Sequence, residues 1–118
     1  MNDELQQRLA ANEDVVRRVN EAIDRGRWPG ESDSPIGFRC ECAQVGCNML
    51  LALTPRDYAR VRSGPRRFVM LRGHELPAVE RVVETLGEIV IVEKLGAAGS
   101  EAAARDPRDS RSASRRAR

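Results

Sequence analysis

Apolar residues are spaced differently in different parts of this chain. Leu5, Leu9, Val16, Val19 and Ile23 recur at intervals of three and four once Asn12 is counted with them. That interval marks one face of an α-helix. Asp3 can cap the helix, with Gln6 three residues on as a weak capping box. Arg25 suits the last turn and Gly26 the position after it. The pattern predicts a helix over about residues 3–25. Its stripe is expected to pack on the chain's own domain, with pairing between two copies as the alternative. "GRWPGESDSPIG" then reads as a loop, and Trp28 within it as a lid on the core.

Further on, "NMLLAL" suits a short buried strand. In "TPRDYARVRSG", Thr54 is a good N-cap, Pro55 fits the first helical position, and Gly64 ends the helix. "RRFVMLRG" reads as a strand. Ile89 to Leu95 reads as another. The residues before it, "VERVVETLG", are rich in β-branched side chains and favour a hairpin arm over a helix. From Ala97 onward large apolar side chains almost vanish, so residues 97–118 are expected to be a disordered Arg/Ser/Ala tail. The predicted organisation is an N-terminal helix (1–26), a small α+β domain (36–96) and this tail. The expected fold class is α+β: an amphipathic helix, then a small stapled antiparallel sheet with one or two short helices.

Composition sharpens this outline. The 118 residues are 41% apolar but only 3% aromatic, so the core rests on Val, Leu and Ile. A short structured part often needs a staple. No run approaches the roughly 18 apolar residues of a membrane helix, and the N-terminus has no apolar secretory segment. The expected location is the cytoplasm. The formal charge of +2 divides unevenly: residues 97–118 hold six Arg against three acids (+3), and residues 1–96 hold fourteen Lys and Arg against fifteen acids (−1).

All three cysteines lie in "GFRCECAQVGCNML". In a reducing compartment clustered thiols are metal ligands or redox groups more often than disulfides, and an odd count argues the same way. Residues two apart in an extended chain face the same side, so Cys40 and Cys42 can meet one ion. Gly46 lets the chain bend back to bring Cys47. The chain's single histidine, His74, follows Gly73 at the end of a predicted strand and is the candidate fourth ligand. Cys3His is a structural zinc set, and thiolate with imidazole favours zinc over magnesium or calcium. An iron–sulfur cluster fits less well, since its usual runs use C-x2-C spacing and four cysteines. Buried unligated cysteines and a redox thiol group are the competing readings. Glu41 and Glu75 flank the ligands and are expected to be solvated charges, with a role behind the ligands as the alternative.

The order F-x-C-x-C-x4-C, then "LTPRDYARVR", "RRFVMLRGHE" and "VVETLGEIVIVEK" resembles a family of short, uncharacterised actinobacterial proteins over about residues 36–95. The resemblance implies that Cys40, Cys42, Cys47 and His74 belong to one shared site. It brings no activity with it. This chain departs from the pattern at Ile89, where the family usually has an aromatic residue.

No nucleophilic triad, phosphate-cradling loop or paired-carboxylate site stands out, and the histidine is committed to the metal. The expected function is therefore a non-enzymatic zinc-binding module that acts as a binding or regulatory protein, through another protein. Six Arg against one Asp between Thr54 and Gly73 give a local +5. Nucleic-acid binding through Arg56, Arg60, Arg66, Arg67 and the tail is the alternative. A zinc–thiolate redox sensor is the second alternative.

Overall fold

A computed structural model of the protein describes residues 3–28, 30, 32–44 and 46–108, excepting the side chains of Asp3, Gln6, Gln7 and Ala10. The expected Asp3–Gln6 cap thus falls on side chains outside those described. The architecture is α+β. Helix α1 (Asp3–Arg25) precedes a two-stranded antiparallel ribbon, β1 (Ile36–Arg39) and β2 (Leu50–Leu53). Helix α2 (Pro55–Val61) leads into β3 (Arg67–Leu71), and the hairpin β4 (Glu80–Leu86) and β5 (Ile89–Lys94) completes a second antiparallel sheet in the order β3-β5-β4. Helix α3 (Gly96–Ala104) closes the described chain.

Local chemistry accounts for several of these elements. Thr54 accepts a hydrogen bond from the Asp57 amide at 3.0 Å, and Pro55 occupies the first turn of α2. The β-branched run 79–86 forms the hairpin arm, with Leu86 opposite Ile89 across a two-residue turn. β2 is buried on one face only: Leu51 and Leu53 point inward, while Leu50 is 64% exposed. The apolar centre is built from Phe38, Leu51, Tyr58, Phe68, Met70 and Ile91, all essentially inaccessible. Phe38 and Tyr58 stack with centroids 4.4 Å apart, which ties the ribbon to α2. Each fully buried side chain of this kind contributes about 1.5–3 kcal/mol, so β3 and β5 form the main apolar platform.

Helix α1 corrects the expectation from its stripe. Its buried residues are Glu13, Asp14, Arg17, Asn20 and Glu21, whereas Val15 is 62% and Val19 38% exposed. Ile23 alone of the stripe packs at the margin of the core. The helix docks through paired polar groups. Lys94 at the end of β5 bridges Glu13 and Glu80. Arg17 reaches Asp14 and the carbonyls of Pro65 and Ala102, and its guanidinium lies 4.8 Å from the centroid of Phe68. Burial pushes the Glu13 carboxyl up to about 8 despite the pull of Lys94, because one cation serves two carboxylates.

Two further expectations are corrected. Residues 97–108 are ordered: α3 lies on α1, burying Ala98 and Ala102, and Asp106 is buried beyond it. Gly99 lets the first turn of α3 close against the end of β5, since a Cβ there would stand 2.5 Å from the Lys94 carbonyl oxygen. The remainder of the expected tail, 109–118, lies outside the described residues. Trp28 is 76% exposed and covers no core.

Candidate metal centre

The site is assembled where the chain leaves β1. The Cys40 amide donates to the Met49 carbonyl at 3.0 Å, and the Glu41 amide donates to the Val69 carbonyl at 2.8 Å. The segment therefore runs extended between β2 and β3. Successive side chains alternate in an extended chain, so Cys40 and Cys42 face one side and Glu41 the other. The Cys47 amide closes a turn onto the Gln44 carbonyl at 3.2 Å, with Gly46 at φ 82°. His74 follows β3 in a second turn, its amide on the Leu71 carbonyl at 3.0 Å, with Gly73 at φ 92°. Both turns need a left-handed residue, just before Cys47 and just before His74, which glycine adopts at no steric cost.

These turns bring together four ligand atoms, from Cys40, Cys42, Cys47 and His74, all within 4.8 Å of one another. His74 Nδ1 lies 3.6 Å from Cys40 Sγ and 3.8 Å from Cys47 Sγ. A tetrahedral ion with sulfur at about 2.3 Å and nitrogen at about 2.0–2.1 Å has ligand–ligand edges of about 3.5–3.8 Å. The donors thus fit a metal ion through Nδ1 of His74. The Leu71 amide adds a hydrogen bond to Cys40 Sγ at 3.3 Å, a contact that favours a thiolate there.

Without a cation, the electrostatics work against thiolates at two of the three positions. Burial pushes the Cys40 thiol up to about 12, against the Leu71 amide and reinforced by Cys42 and Cys47. Burial likewise raises Cys42. At half-buried Cys47, burial is outweighed by the Met49 amide and by hydrogen bonds from Cys42 and Cys40, so its thiol lies below the ordinary value. Three thiolates side by side repel one another, and a cation among them offsets that repulsion. In comparisons with protein-family models, curated proteins and solved structures, none matches this chain.

Glu41 is not a solvated charge. It is fully buried, and its carboxylate accepts from Asn20 Nδ2 and the Tyr58 hydroxyl at 2.9 Å each and from the Val69 amide at 3.0 Å. Burial raises its carboxyl, and these donors oppose the rise. Glu41, between Cys40 and Cys42, thereby anchors the cysteine segment to α1, α2 and β3. Strand alternation was the available signal: if Cys40 and Cys42 face the ion, Glu41 faces the core. Glu41→Ala should leave three buried donors without their acceptor, at about 1–3 kcal/mol each. Its urea midpoint should fall well below that of the parent chain at an unchanged slope. An unaltered midpoint would contradict this role. Glu75 is half-buried and accepts from the Gly73 amide at 2.7 Å, bracing the turn that carries His74.

Three of the six arginines in the stretch pair with carboxylates. Arg62 is buried between Glu21 and Asp106, Arg56 pairs with Asp33, and Arg60 pairs with Asp57 and Glu84. Arg66 is exposed and Arg67 half-buried, beside Glu93. No helix among the described residues is long and apolar enough to cross a membrane.

Proposed function

We infer that the chain is a small non-enzymatic zinc module, in which the ion bound by Cys40, Cys42, Cys47 and His74 holds the fold and the protein acts as a binding or regulatory partner of other proteins. The observation that carries this reading is the fit of the ligand separations, 3.6 and 3.8 Å from His74 Nδ1 to two thiols, to the edges of a zinc tetrahedron. Sulfur and imidazole together select zinc among common divalent ions. Four protein ligands close the coordination shell, so the ion is a structural cross-link. It joins the turn after β1 to the turn after β3. The local +5 of the arginine stretch is reduced by the pairs of Arg56, Arg60 and Arg62, which favours protein contacts over phosphate binding.

Cobalt(II) substitution tests the coordination. The substituted protein should show intense visible bands of tetrahedral thiolate coordination, with sulfur-to-metal charge transfer in the near ultraviolet. Cys42→Ser should weaken the charge-transfer band. A pale, octahedral spectrum from the parent chain would overturn the reading.

A further inference from the structure

The three thiols of the metal centre are not equivalent. Cys40 is buried, its amide donating to the Met49 carbonyl and its sulfur accepting from the Leu71 amide. Cys47 is half-buried and ends a turn in which Gln44 and Gly46 are exposed. A groove of about 240 Å³ runs between α1 and this turn, lined by Asn12, Val16 and Gln44 together with Cys42 and Cys47. A small solute entering it meets those two sulfurs. The three sulfurs lie within 4.8 Å of one another, but not every pair can close a disulfide. Bridged cysteines hold their Cα atoms about 4.4–6.8 Å apart. Residues two apart in an extended chain are separated by about 6.4–6.8 Å, at the far edge of that range. The Cys40 and Glu41 amides are also tied to the Met49 and Val69 carbonyls, which keeps Cys40 and Cys42 from closing on each other. Cys47 is the thiol that can move, because its turn hinges on Gly46 at φ 82°.

From this geometry we propose, given the zinc centre inferred above, that Cys47 and Cys42 are an oxidisable pair: hydrogen peroxide entering the groove converts them to a disulfide and expels the ion. The Cys47 thiolate attacks one peroxide oxygen. The O–O bond breaks, hydroxide leaves, and Cys47 becomes a sulfenic acid. The Cys42 thiolate then attacks the Cys47 sulfur. The S–S bond forms, the S–O bond breaks, and a second hydroxide leaves. Two protons from solvent turn both hydroxides into water. The pair of thiolates loses two electrons and the peroxide gains them. Only Cys40 and His74 remain as donors, and the closed shell of a structural zinc ion is lost. The turn after β1 is then released from the turn after β3, so the oxidation state of one pair sets whether the domain is cross-linked. A dithiol reductant with zinc reverses the change.

Peroxide treatment of the zinc-loaded full chain tests this, with a zinc dye too weak to strip the unoxidised site. Zinc should leave in step with disulfide formation, one ion for each disulfide. Cleavage after Glu41 separates Cys40 from the other two cysteines. The Cys40 peptide should be alkylated as a free thiol, and the peptide holding Cys42 and Cys47 should carry the disulfide. Asn12 is exposed on the groove wall. Asn12→Trp, which narrows the entrance, should slow zinc release severalfold with metal content and thermal midpoint unchanged. Zinc retained through a large excess of peroxide overturns the switch and leaves the structural centre standing. A disulfide that includes Cys40 overturns the assignment of the pair. A release rate indifferent to Asn12→Trp overturns the groove as the route. A chain that takes up no zinc fails at loading, before any oxidant is added, and overturns the centre together with its oxidation.

Discussion

A chain ending at Leu95 should lose much of its stability. Composition makes the segment after it look expendable, yet the structure threads it into the core. Removing it strips Ala98 and Ala102 from their packing and takes the Ala102 carbonyl from Arg17, which is fully buried. It also removes Asp106 from Arg62 and Arg108 from Glu21. Arg62 is inaccessible and would keep only Glu21 as its carboxylate partner. Breaking a buried ion pair by deleting one member costs about 3–5 kcal/mol, against a typical net stability of about 5–15 kcal/mol. The thermal midpoint should fall by about 15 °C or more, given about 4–8 °C per kcal/mol for a domain of this size. Asp106→Ala in the full chain should reproduce a sizeable share of that loss. If the shortened chain melts with the parent, α3 does not support the fold.

Removing the ion should have the larger effect. Apparent binding energies of structural zinc reach about 10–16 kcal/mol in small peptides, comparable to the whole stability of a domain. A strong chelator should abolish the cooperative melt, and re-added zinc should restore it. Cys47→Ser should approach the effect of chelation, because it removes one thiolate from a closed shell. His74→Ala should cost less, since water can take the vacated position of a half-buried ligand. The order of the two variants is informative. If His74→Ala proved as harmless as a surface change, the imidazole would not be a ligand.

The clustering of Cys40, Cys42, Cys47 and His74 and four of the five strands were legible in the sequence, and β1 and the docking of both terminal helices were not. C-x-C in an extended chain, a bend at Gly46 and a strand ending at Gly73-His74 carry their geometry in local spacing. The Thr54-Pro55 helix start and the β-branched arm before Ile89 are local in the same way. Helix α1 defeats periodicity because its core face is polar: Glu13, Arg17 and Asn20 are buried only because Lys94, Ala102 and Glu41 stand ready as partners from distant parts of the chain. No helical-wheel argument sees those partners. α3 defeats composition for a related reason. Its contribution comes from small residues in close approach and from ion pairs rather than from large apolar side chains. Glu41 was visible as a position and misread as a charge, since its three donors come from three different elements.

The most direct measurement is the metal content of the full chain purified without added metal, read by mass spectrometry under native and denaturing conditions alongside elemental analysis. One zinc ion per folded chain, lost together with the fold on denaturation and bound with all three thiols protected from alkylation, is the predicted result. A cooperatively folded chain carrying less than about a tenth of an ion, with its thiols freely alkylated, would contradict the view that a structural metal holds this domain together.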